Sequence, residues 1–281
     1  MKLAFTLAAA AALVAACAHQ TAETPATAQR LYVLSCGEAV TPDVSRWSPG
    51  VNVGQSWEFS DNCYLIRHAK GWMLWDSGYS DSLAATPDGV VLPNGSRAKM
   101  PKTLVSQLAE IGVKPADISY LAFSHSHADH VGNANLFTNA TLYIQETEYE
   151  AAFGPTPQKF GFNPAVYDKL KGNPVVKLKG DFDVFADGSV TILSTPGHTP
   201  GHQSLMVRLQ RTGVVILSGD VAHFQSNWDN RRVPGFNFSR DESLASMNRV
   251  AAIIVTEKAQ LWINHDKAQS LKMLRLPAYY D

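Results

Sequence analysis

Ser124-His125-Ser126-His127-Ala128-Asp129-His130 packs three imidazoles and a carboxylate into the six positions from His125 onward. Imidazole nitrogen and carboxylate oxygen are donors that borderline-soft divalent ions such as zinc accept. Side chains of an extended stretch alternate with a period of two, so His125 and His127 point the same way. Asp129 and His130 follow a change of chain direction and can address a second ion. A lone histidine is more often a core or surface residue than a ligand, but four donors in six positions are poorly explained by chance.

Further donors stand just beyond apolar runs of strand length. Ile118–Phe123 precedes His125, Val190–Leu193 comes shortly before His198, Val214–Leu217 before Asp220, and Leu261–Ile263 before His265. Side chains on short loops at strand ends converge while the sheet holds them rigid. Asn62–His68 and Gly71–Asp76 read as a hairpin turning at Ala69-Lys70-Gly71. Leu31–Cys36, Thr141–Ile144 and Ser204–Leu209 read as further strands. Leu104, Leu108 and Ile111 share a helical face that Gly112 stops. Ser239 with Glu242 is a capping-box signature that opens a helix over Arg240–Lys258, with Leu244, Met247, Val250, Ala251 and Ile254 on one face. Strands interleaved with helices predict a layered α/β fold. No linker or repeat divides the chain after residue 30, so a single domain is expected.

His125-x-His127-x-Asp129-His130 resembles the signature of the metallo-β-lactamase superfamily, and other motifs follow in that family's order. Leu74-Trp75-Asp76-Ser77-Gly78 matches its early turn, whose aspartate is structural. Thr195-Pro196-Gly197-His198-Thr199-Pro200-Gly201-His202 matches the segment that supplies the next histidine. Ser218-Gly219-Asp220 matches the bridging aspartate and Asn264-His265-Asp266 the last histidine. The resemblance runs from Leu31 to Asp266 and implies an αβ/βα four-layer sandwich with two divalent metal ions, zinc foremost, where the sheets meet. His125, His127 and His198 would hold the first ion, Asp129, His130 and His265 the second, with Asp220 bridging. His202 would be structural, near the strand Ser204–Leu209, and His68 receives no function. Paired ions bind a water between them and lower its pKa. The implied reaction is attack of that hydroxide on a carbonyl, with Asp129 accepting the proton.

Pro200-Gly201-His202-Gln203-Ser204-Leu205 and the His265-Asp266 pair look most similar to N-acyl homoserine lactonases of the superfamily, and Gly112–Ile118 resembles their run before the histidine motif. The expected substrate is therefore a small-molecule ester: an N-acyl homoserine lactone or a related lactone. Superfamily β-lactamases generally lack an aspartate in the place of Asp220, whereas glyoxalase II-like thioesterases share all seven ligands; both stay as alternatives. Di-iron redox relatives usually carry Glu where His127 stands. A non-catalytic envelope lipoprotein retaining the fold is the alternative from another class. One position departs from the lactonases: many have a tyrosine three residues after the bridging aspartate, and here it is His223. Its imidazole would donate a hydrogen bond to the substrate's oxyanion or ring oxygen, or merely line a loop.

Phe224, Trp228, Phe236 and Phe238 crowd one irregular segment, and Phe153, Phe160 and Phe162 another. The first group is expected to form a pocket for an acyl chain. Of 281 residues 45% are hydrophobic and 17% charged, with a formal net charge of -1. That balance gives no footprint for nucleic acid. Residues 1–16 read as a lipoprotein-type signal peptide: Lys2, an apolar run too short to span a bilayer, then Leu13-Val14-Ala15-Ala16-Cys17. Residues 17–30 read as a tether and 31–281 as the hydrolase domain. A lipid on Cys17 would be the one link to a membrane, with Ala18 directing the protein to the outer membrane facing the periplasm; without lipidation it would be soluble there. In that oxidising compartment Cys36 and Cys63 are either bridged or two buried thiols, with nothing in the sequence to choose.

Overall fold

The structure, a computed structural model, describes residues 26–281. The signal segment 1–16, Cys17 and most of the tether lie outside the described residues.

Along β1 (Arg30–Thr41), Leu31 and Val33 enter one apolar core, while Tyr32, Leu34 and Cys36 enter another on the opposite face. β2 (Trp57–His68) divides likewise, Tyr64 and Ile66 to the first core, Cys63 and Leu65 to the second. A strand buried on both faces is apolar at nearly every position, which is why these runs look continuous. β3 (Gly71–Trp75), β4 (Val90–Val91), β5 (Arg97–Lys99), β6 (Ile118–Ala122), β7 (Thr141–Gln145) and β8 (Val175–Leu178) complete an eight-stranded sheet ordered β4-β5-β1-β2-β3-β6-β7-β8. β9 (Phe182–Asp183), β10 (Val190–Ser194), β11 (Gln203–Leu209), β12 (Gly213–Leu217) and β13 (Gln260–Trp262) form a five-stranded sheet ordered β13-β12-β11-β10-β9.

The first core lies between the sheets, where Leu31, Ile66 and Trp75 meet Ile192, Leu205 and Leu217. The second lies outside the large sheet, under α1 (Leu104–Glu110), α2 (Ala128–Val131) and α3 (Glu146–Phe153). α4 (Gln225–Asn230) leads to α5 (Arg240–Glu257), which lays Val250 on Leu193, Met206 and Ile216 of the small sheet; α6 (Lys267–Ser270) follows β13. The layering is the αβ/βα sandwich that the motifs imply. The α5 cap is as expected, Ser239 Oγ accepting from Glu242 N at 3.2 Å. The packed region starts earlier than expected. Ala28, read as tether, is 2% exposed and its N–H donates to Arg208 O at 2.8 Å.

Strand direction gathers the donor-bearing loops. β3, β6 and β7 run parallel. β10 and β12 are each antiparallel to β11 and so run the same way, with β13 parallel to β12. The loops that follow β6, β10, β12 and β13 therefore leave along one edge of the sandwich. Gln203 N donates across it to Ser124 O at 2.9 Å, and Asn62 N to Asn264 Oδ1 at 3.1 Å.

Cys36 and Cys63 are disulfide-bonded between neighbouring strands, with Cα atoms 5.6 Å apart. The bond closes a loop with a sequence separation of 27. Removing that constraint from the unfolded chain costs about 3 to 4 kcal/mol. Urea unfolding with and without a reductant, and of a Cys36→Ser/Cys63→Ser variant, should show a loss of that order.

Candidate metal centre

His125 and His127 leave the end of β6 and face one ring of His198 from the loop after β10. His127 Nδ1 lies 2.8 Å from His125 Nε2 and 3.0 Å from His198 Nε2. The far nitrogen of each ring is engaged: His125 Nδ1 with Ser124 Oγ at 3.1 Å, His127 Nε2 with Phe160 O at 3.0 Å, His198 Nδ1 with Asn237 Oδ1 at 2.9 Å. A nitrogen that donates on one side of the ring leaves a lone pair on the other. Three lone pairs brought this close repel one another unless a cation lies among them. Burial holds His125 and His198 well below their ordinary pKa, so both are neutral, the form that binds metal.

α2 begins directly after His127, which is the expected change of direction. It turns Asp129 and His130 towards His265, and donor atoms of the three lie within 4.8 Å of one another. His130 Nδ1 donates to Asp76 Oδ2 at 3.1 Å and His265 Nδ1 to Ser60 O at 2.8 Å. Asp220 stands between the two groups. Its Oδ2 is 3.3 Å from His198 Nε2 and 3.8 Å from His125 Nε2; its Oδ1 is 3.1 Å from His265 Nε2 and 3.4 Å from His130 Nε2. Burial alone would raise a carboxyl pKa, but His265, His223, His130 and His198 hold Asp220 well below the usual range. Burial also opposes charge on His265, yet Asp220 pushes that ring up to about 9, so this region favours positive charge. His130 Nε2 and Asp220 Oδ1 are buried without a hydrogen-bond partner among the described residues. Neutral His125 and His198, an ionised carboxylate and two unpartnered ligand atoms facing one another fit a divalent cation. All seven residues singled out by sequence meet in this one cluster.

A profile of the metallo-beta-lactamase superfamily matches residues 57–255. The chain belongs to the metallo-β-lactamase superfamily. It is 32% identical over 263 residues to N-acyl homoserine lactonase AttM of Azorhizobium caulinodans, covering 90% of this chain and 98% of that one. Identity to N-acyl homoserine lactonase AiiA of Bacillus thuringiensis subsp. kurstaki is 30% over 262 residues, covering 90% and 99%. A solved N-acyl homoserine lactone hydrolase, with the product N-hexanoyl-L-homoserine at its catalytic metal centre, superimposes with a TM-score of 0.79 at 28% identity, over 90% of this chain and 100% of that one. The chain is a metal-dependent hydrolase of this superfamily.

The superfamily motifs outside the cluster hold it in place. Asp76, in a left-handed conformation (φ 59°), accepts from Ser124 N at 2.6 Å and Ser124 Oγ at 3.0 Å as well as from His130. His202 Nδ1 donates to Thr195 O at 2.9 Å, which leaves Nε2 to accept Asp220 N–H at 2.8 Å. Gly219 lies between these groups at φ 52°; a Cβ there would stand 2.5 Å from Ser124 Cβ and 2.7 Å from His202 Nε2. His68 pairs with Asp187 at 2.9 Å and stacks on Phe185, far from the cluster in role. Two supports escape the sequence reading. Asn237 orients His198, and buried Glu148 accepts from Ser126 N, Thr199 Oγ1 and Gly201 N at 2.8, 2.8 and 3.0 Å, tying the two histidine loops together. Glu146, Glu148 and Glu150 look alike in sequence; the backbone approach at Gly201, where a Cβ would lie 2.4 Å from Glu148 N, is the one local signal.

A cavity of about 700 Å³ opens over Asp129, Asp220 and His265, with walls from Trp47, Phe59, Leu83, Leu92 and Val166. Its lining corrects the aromatic expectation: of Phe224, Trp228, Phe236 and Phe238, only Phe236 borders it. Phe224 is buried against Phe59 at 5.0 Å, Trp228 packs on Val221, Val233 and Met247, and Phe238 is 54% exposed beside Phe160. Phe162 is core, with Phe153 and Phe160 packed against it. His223 borders the cavity, 2% exposed, its Nε2 3.1 Å from Asp220 Oδ2.

Burial lowers the pKa of His202 from an ordinary 6.5 to about 4. A base with a depressed folded pKa leaves stability intact above its unfolded value, and stability falls as acidification protonates the unfolded chain first. Between pH 6.5 and 4 this one ring should remove about 3 kcal/mol. Denaturant unfolding across that window should be correspondingly flatter for His202→Gln than for the unaltered chain.

Proposed function

We propose that this enzyme opens lactone rings by hydrolysis, with N-acyl homoserine lactones or closely related lactones as substrates. The observation that carries the reading is an intact seven-residue donor cluster at the base of an apolar cavity. The lactonase names of relatives matched over nine-tenths of the chain support it.

In this reading His125, His127 and His198 hold one divalent ion and Asp129, His130 and His265 a second, with Asp220 between them and zinc as the favoured metal. When bound, such ions supply Lewis acidity and lower the pKa of water. The chain's own residues do the rest. Asp76, Ser60, Asn237 and Phe160 O fix the rings through their far nitrogens, so each presents a lone pair without rotating. Asp129, half-buried at the cavity base, accepts the proton of the attacking water on its carboxylate and returns it to the departing ring oxygen. Trp47, Phe59, Leu83 and Phe236 exclude water and seat the acyl chain.

Export completes the proposal: a signal segment ending at residue 16, Cys17 as a lipid-carrying first residue, and a periplasm-facing outer-membrane location. The disulfide supports this, because such bonds persist in oxidising compartments.

A panel of acyl lactones, a thioester and a cephalosporin, run on metal-analysed protein, tests the reading. The lactones should be preferred, and kcat/KM should rise about fourfold per added methylene until the cavity fills. A flat series would reject the acyl seat, and a thioester or cephalosporin preference would reject the lactone assignment. Asp129→Asn should lower kcat about a hundredfold or more, with the protein still folded.

A further inference from the structure

Five of the imidazoles in the centre are held at both ends. His125, His127, His130, His198 and His265 turn one nitrogen inward and give the other to Ser124, Phe160 O, Asp76, Asn237 and Ser60 O. His223 is different. It is buried, its Nε2 lies 3.1 Å from Asp220 Oδ2, and its Nδ1 is sealed away with no hydrogen-bond partner among the described residues. Nothing but the contact at Nε2 fixes the ring's polar edge.

That nitrogen points at the oxygen of Asp220 that faces His198 and His125. Donor atoms of His198, Asp220 and His223 lie within 4.8 Å of one another, the same compass as the two groups already described. The His198 and His223 rings are 5.3 Å apart, equal to the 5.3 Å between His130 and His265. We propose that His223 is an eighth protein ligand, giving Nε2 to the ion held by His125, His127 and His198. The inference rests on the two-ion reading of the centre.

The alternative is that Nε2–H simply donates to Asp220. As a ligand, His223 keeps a proton on Nδ1 with no acceptor, which costs free energy that the metal–nitrogen bond must offset. His223 is then the most weakly held of the ligands. The first ion becomes nitrogen-rich, with four imidazoles and one carboxylate oxygen, and the second keeps two imidazoles and two carboxylates. Two unequal affinities follow, the nitrogen-rich position favouring later first-row ions and the other tolerating iron or manganese.

The test is a cobalt(II) titration of the chelator-stripped full chain, unaltered and as His223→Phe, followed by visible absorption and chelator competition. Proton NMR of the dicobalt protein adds a direct count of hyperfine-shifted imidazole N–H signals. The unaltered chain should show six, from His125, His127, His130, His198, His223 and His265. His223→Phe should show five, bind its first cobalt about tenfold to a hundredfold more weakly, and absorb more strongly as coordination falls. Five signals from the unaltered chain would overturn the proposal without reference to any variant, as would a folded variant with unchanged affinity and spectrum. Failure of the unaltered chain to take up two cobalt ions would instead remove the two-ion reading, and this inference with it.

Discussion

A carboxylate taken out of water stays ionised only where positive charge or donors surround it. Asp220 is such a carboxylate, ringed by His125, His130, His198, His223 and His265. Its two oxygens face different imidazoles, so one side chain sets the spacing between two groups of donors. The backbone of Asp220 is fixed in turn by His202, and the glycine before it admits Ser124 and His202 at close range.

The sandwich exists, in functional terms, to bring that arrangement to a single edge. Parallel β3 and β6 in the large sheet and like-directed β10, β12 and β13 in the small one release their loops together. Backbone N–H groups donating to Glu148, Asp76 and Asn264 then lock loop to loop, replacing water at groups that the closed edge has buried. The cavity wall draws instead on segments between the sheet strands, with Trp47, Leu83, Leu92, Val166 and Phe236, and on Phe59 of β2.

Much of the centre was legible because ligand chemistry concentrates rare residue types, and because apolar strands announce where those residues stop being buried. What was hidden follows a different physics. β2 begins before its apolar stretch, running through Ser60 and Asp61, polar residues buried by bonds to Asn264, which no hydropathy pattern reveals. α3 carries a polar run, Glu146-Thr147-Glu148, and is held by Ala151 and Ala152 rather than by an apolar stripe. The cavity wall was misread because a cluster of aromatics does not say which way its rings face: Phe224 turned inward to Phe59, while Trp47 and Phe59, distant in sequence, supplied the wall.

The central claim is that Asp220 joins two metal-holding halves, and metal content tests it most directly. Elemental analysis of folded protein equilibrated with zinc should give about two ions per chain for the unaltered sequence and fewer than about one for Asp220→Ala. A folded Asp220→Ala protein that still retained both ions would contradict the account.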